Sequence, residues 1–203
     1  MSRLIKLMRQ QLSNEVVVQN KTREQAWELL CEWTKNNNLR KHAMAVEAAM
    51  KYLARLFQED AEEWGVVGLL HDFDYERFPS LDDHPYKGQE VLRQEGYSET
   101  VRRGIMAHAP HTGTARKTKM EQAIFAVDEL AGFIVAVALV KPSKKLAEVD
   151  VKSVHKKLKQ KSFAAAVKRE EIELGAKELG FSLDEHINHV LSAMKEVAVE
   201  LGL

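Results

Sequence analysis

Residues 68–74, GLLHDFD, run from small and apolar side chains straight into the imidazole of His71 and the carboxyl groups of Asp72 and Asp74. Burying a neutral polar group without a partner costs roughly 2–7 kcal/mol, and burying an ion costs more. The fold must therefore bring partners to these residues. The stretch closes a helical pattern, AEEWGVVGLLHD, that Asp60 can cap.

Working outward, every neighbouring segment also reads as helix. Residues 39–58 are rich in Ala, Met and Leu, which are strong helix formers. Residues 22–36 open with Thr22 and Gln25 at capping-box spacing. Downstream, the polar loop DYERFPSLDD leads to HPYKGQEVLRQEG, which has a proline near its first turn and stops at Gly96. Ser98 can cap ETVRRGIMAH, and the loop APHTGTARK precedes a long helix over 118–140 that Pro142 ends. Residues 143–203 predict three more helices, at about 148–160, 163–179 and 183–201, with Ser182 and Glu185 as a second capping box. No alternating strand pattern and no internal repeat occurs. The expected class is all-α: one antiparallel helical bundle over 1–203, with a core at about 38–140 and the flanking segments 1–37 and 143–203 packed on it.

Lys plus Arg and Asp plus Glu number 30 each, a balance that argues against general nucleic-acid binding but leaves room for a small phosphate ligand. The single cysteine, Cys31, forms no internal disulfide and is expected in the core; a cytoplasmic location fits. The basic, mildly apolar start MSRLIKLMRQQL reads as an amphipathic helix rather than a leader. The oiliest run, 123–140, carries Asp128 and Glu129 and reads as a core helix rather than a membrane span.

Placed on these helices, polar groups recur on apolar faces. His42 lines up with Val46, Ala49 and Leu53, His71 with Trp64 and Val67, and His84 with Gly88 and Val91. His108 lines up with Val101 and Ile105, and Asp128 with Ile124, Ala131 and Val135. A divalent cation would partner all of them at once. Imidazole with carboxylate suits Fe, Mn, Zn or Co and suits Ca poorly.

The order KHAMAV, GLLHDFD, FAVDELAGF resembles the HD superfamily of metal-dependent phosphohydrolases over about residues 38–140. That resemblance implies a ligand set of His42, His71, Asp72 and Asp128, all on helices of one bundle. The intervening DDHPYKGQEVL and RRGIMAHAPHTG look like the two-metal branch, which includes bacterial hydrolases of symmetric dinucleoside tetraphosphates. They imply that His84 and either His108 or His111 hold a second ion. Helical phase favours His108, and His111 then faces substrate. The Gly-Tyr-Pro signature of the cyclic-dinucleotide phosphodiesterases is absent. The implied reaction is hydrolysis of a phosphate ester or anhydride in a nucleotide or other small metabolite by a metal-activated hydroxide, with Asp72 as the central catalytic ligand. Asp74 or Glu129 would orient water or support a ligand. Lys87, one turn past His84, and Lys144 and Lys152, in a basic run after the long helix, are the expected phosphate contacts. His155, His186 and His189 are expected at the surface. The same ligand types also occur in di-iron oxygenases of this fold, and a regulatory module without activity is a third reading.

Overall fold

Capping chemistry sets the helix starts. In the computed structural model, which describes residues 21–203, Thr22 and Gln25 close a capping box on α1 (Arg23–Trp33). The Asn36 side chain accepts the Asn38 N–H to open α2 (Asn37–Phe57), and Asp60 accepts those of Glu62 and Glu63 to open α3 (Ala61–Leu70). Next come α4 (Tyr86–Gln94) and α5 (Glu99–His108, capped by Ser98). A 3-10 turn at Pro110–Thr112 leads to α6 (Lys119–Leu139). Thr118 and Glu121 form a capping box there, and Arg103 holds the same Glu121 at 2.6 Å. After a second 3-10 turn, Leu146–Glu148, follow α7 (Val151–Leu158), α8 (Arg169–Leu179), α9 (Leu183–Glu196) and α10 (Ala198–Leu201). The described residues thus hold ten α-helices and no strand.

The bundle is wound about α6, whose Ile124, Val127, Leu130, Phe133 and Ile134 are at most 0% exposed. Helices α2, α5, α8 and α9 pack on it, and α3 lies along α2. Two glycines let backbones approach closely. A Cβ on Gly68 of α3 would stand 2.9 Å from Glu47 Cα, and one on Gly175 of α8 would stand 2.5 Å from Ala126 Cα. By length and composition α6 could cross a membrane, but it lies inside the bundle, as its reading as a core helix predicts.

Several local features differ from what the sequence pattern predicts. Helix α3 stops at Leu70, so His71 is its C-cap rather than an interior residue. Helix α4 starts at Tyr86, which leaves His84 in the preceding turn. Helix α8 starts at Arg169 instead of about 163, because the Arg169 guanidinium donates to the carbonyls of Phe163, Ala164 and Val167 and holds that segment as turns. The last helix is divided at Val197. Cys31 is half-buried, not a full core residue. His186 is fully buried rather than at the surface, since α9 packs that face onto α6. The amphipathic reading of the first twelve residues lies outside the described residues.

Candidate metal centre

Two helices end in the same way. At the C-terminus of α3, His71 Nδ1 is 2.8 Å from the Gly68 carbonyl oxygen; at the C-terminus of α5, His108 Nδ1 is 2.5 Å from that of Ile105. The last carbonyls of a helix lack intrahelical donors, and an imidazole N–H three residues on satisfies one. A carbonyl only accepts, so in each ring Nδ1 carries the proton. In the neutral ring Nε2 is then left as a lone pair aimed into the bundle.

His84 reaches the same place from the turn before α4. Its Nδ1 lies 2.7 Å from Asp74 Oδ1, while Asp74 Oδ2 accepts the Gly88 N–H at 2.8 Å. Asp74 is 0% exposed, so these two bonds are its partners in the interior. Gly88 has to be glycine, because a Cβ there would sit 2.8 Å from the Asp74 carboxyl carbon.

These side chains gather into two triads: His42, His71 and Asp128, and Asp72, His84 and His108, the donor atoms of each lying within 4.8 Å of one another. In the first, Asp128 Oδ1 is 2.9 Å from His42 Nε2 and 3.4 Å from His71 Nε2. In the second, Asp72 Oδ1 is 3.2 Å from His84 Nε2 and 3.3 Å from His108 Nε2. The other Asp72 oxygen, Oδ2, lies 3.5 Å from His71 Nε2 and so faces the first triad.

The donor set fits a cation on two observations. His71 Nε2 is buried with no hydrogen-bond partner, although two carboxylates approach it. His84 Nε2 and His108 Nε2 face each other at 3.2 Å, with both rings tied from behind through Nδ1. Two lone pairs so placed repel unless positive charge lies between them. Protons can supply part of that charge. Burial opposes protonation of His71, but Asp72 and Asp128 outweigh it and push its pKa up to about 9. His84 is likewise pushed up to about 9, burial being outweighed by Asp72 and Asp74. Burial alone would raise the Asp72 and Asp128 carboxyls; His71 and the other imidazoles instead hold both below the usual carboxylate range.

All the triad residues but His71 floor a cavity of about 370 Å3, with Tyr75, His111, Glu129, Lys168 and Glu171 among its walls. His111 does not join the triads, because its Nε2 donates to the His84 carbonyl at 2.8 Å. Burial, with Asp128 and Glu171 adding to it, pushes the Glu129 carboxyl up to about 7. Lys87, Lys144 and Lys152 are exposed and do not line this cavity. The lysine that does is Lys168, ahead of α8, paired with Glu171 at 2.9 Å. Lys168 belongs to the basic run after the long helix, but spacing does not single it out, since α8 reaches the site only by packing on α6. Nor did any sequence signal point to Tyr75, whose ring stands edge-on to His84 at 5.3 Å. His155 pairs with Asp184 away from the cavity, and His186 donates to the Ala126 carbonyl at 2.8 Å.

Residues 39–132 match the family model described as HD domain, a span that contains both triads. No curated protein and no solved structure matches the chain. The matched segment supports the HD superfamily, whose members are mostly metal-dependent hydrolases.

Proposed function

We propose that this chain is a metal-dependent phosphohydrolase that acts on a small phosphorylated metabolite or nucleotide and holds two divalent cations. The observation that carries the reading is the double face of Asp72: Oδ1 serves His84 and His108 while Oδ2 is turned to His71. A carboxylate shared by two nitrogen-rich triads is what a pair of adjacent cations needs. Bound Fe, Mn, Zn or Co would supply Lewis acidity, lowering the pKa of a coordinated water and drawing charge from phosphate oxygens.

The chain's own groups do the remaining work. Gly68, Asp74 and Ile105 hold His71, His84 and His108 from behind, so the donors are oriented before any ligand arrives. Lys168, in the lining of the cavity, offers a cation to phosphate oxygens. Glu129, with its pKa pushed up to about 7, can hold or take a proton at its carboxyl near neutral pH. A cavity of about 370 Å3 admits a small molecule.

The test is elemental analysis of the purified protein beside a phosphatase screen over nucleotides and sugar phosphates. Retained transition metal together with phosphate release supports the reading. Protein that retains no metal, or releases no phosphate with any of the four metals added back, overturns it. Turnover that demands iron and dioxygen would replace hydrolysis by oxidative cleavage on the same ligands.

A further inference from the structure

A second cavity, of about 380 Å3, adjoins the first, and the two share a wall made of His42 and Gly132. Their chemistry differs. The first has the histidine and aspartate floor and a rim of Glu129, Lys168 and Glu171. The second is walled by the side chains of Val135, Leu139, Leu201 and Leu203, and among the described residues its only ionisable side chains are those of Lys41 and His42.

Gly132 is the residue at the divide. It lies in the interior of α6, four residues after Asp128 and on the same face. Glycine in a helix interior is unfavourable relative to alanine, so its presence needs a reason. At Gly65, Gly68, Gly88, Gly104 and Gly175 packing supplies one, since an added Cβ would meet another atom at 3.1 Å or less. At Gly132 a Cβ would meet nothing nearer than the His42 ring, at 3.9 Å. Packing does not require glycine there; the missing side chain instead leaves the space between the two cavities open.

We infer that the substrate spans both cavities: its phosphate lies at the histidine and aspartate triads, and an apolar organic group passes over Gly132 into the second cavity. The substrate class is thus a phosphate ester or anhydride with an apolar organic portion rather than a second highly charged one. The phosphate end of this inference rests on the phosphohydrolase reading. The apolar end rests on the second cavity, whose aliphatic wall of Val135, Leu139, Leu201 and Leu203 gains from burial.

Titration calorimetry of the purified, metal-containing protein with inorganic phosphate and with hexyl phosphate tests it. Each buried methylene is worth roughly fourfold in affinity, so hexyl phosphate should bind at least about tenfold more tightly than phosphate. Leu139→Asp should abolish that preference while phosphate binds as before. Leu139 is 49% exposed, so this change leaves the core intact; Val135→Asp serves as a second variant. Gly132→Val, which fills the passage, should also abolish it. Equal binding of the two probes by the natural protein, or a preference that survives in all three variants, overturns the inference and leaves the phosphohydrolase reading standing. Binding of neither probe counts against that reading, and the inference falls with it. Loss of a dimer in Leu139→Asp, seen by light scattering with the probe preference unchanged, would assign the cavity to a second copy instead.

Discussion

Asp74 supports His84 from behind: its Oδ1 lies 2.7 Å from His84 Nδ1, which turns His84 Nε2 towards Asp72 and His108. A residue that does not line the cavity thereby sets the aim of one that does. Asp74→Asn keeps the shape but lets the amide offer an N–H to His84, which favours the wrong tautomer. Metal affinity should fall by about 10–100-fold, measured by competition with a chelator, while far-UV circular dichroism stays unchanged. Unaltered affinity would show that the Asp74 contact is only structural.

Gly88 and Gly132 should respond oppositely to alanine. At Gly88 the new Cβ would press on Asp74 and on Phe73 at 2.8–2.9 Å, so Gly88→Ala should destabilise by about 1–3 kcal/mol. It should also weaken metal binding, by displacing Asp74. At Gly132 the Cβ has room, and Gly132→Ala should stabilise by about 0.5–1 kcal/mol. Thermal melts should separate the pair in sign.

Metal uptake should release protons. His71 and His84 are each held at about 9 by neighbouring carboxylates, so at neutral pH a cation has to displace protons from them. Apparent affinity should rise from pH 6 and level off above about 9. Calorimetry in two buffers of different ionisation enthalpy reads the proton count directly; identical heats in both would refute the charge pattern.

Stability of chelator-treated protein should follow the same groups. A His with its folded pKa above the ordinary ~6.5 contributes stability that is complete below ~6.5 and lost as pH rises through the folded value. His71 and His84 therefore predict weakening from about pH 6.5 to about 9. Glu129, a carboxyl held up at about 7, weakens the fold earlier, from its ordinary ~4.5 to about 7, and Glu129→Gln should flatten that part of the curve. His186 acts in the opposite sense. Burial pushes it down to about 4, so its contribution is present above ~6.5 and lost as pH falls towards about 4. Asp72 and Asp128, held low by the imidazoles, also lose their contribution on strong acidification. Denaturant midpoints across pH 4–9 check each limb.

His71→Ala and Asp72→Ala should lose metal and activity together while helicity survives. His155→Ala should leave both intact. Its partner Asp184 is largely exposed, and such pairs contribute only about 0–1 kcal/mol. Parallel loss of metal in His155→Ala would show that the site extends further than the two triads.

Much of the helix pattern was legible because its causes are local. Thr22 with Gln25, and Ser182 with Glu185, lie within one turn of each other, and their capping boxes form as the spacing predicts. The apolar repeats around His42 and Asp128 are likewise properties of single helices, and these residues do meet, at 2.9 Å. The spacing puts His84 on a helix, yet it lies just ahead of one, because residues at a helix start share its periodicity without its hydrogen bonds.

What the chain order determined is therefore which segments coil and which imidazoles and acids sit on their apolar sides. Spatial packing alone decided that Asp72 would divide its two oxygens between separate triads. It also decided that Lys168, not Lys144 or Lys152, would enter the cavity, and that His186 would be sealed against α6. The reason is range. Caps and helical faces depend on residues a few positions apart, whereas these three outcomes depend on how helices far apart in sequence close on α6, an arrangement that no short stretch encodes.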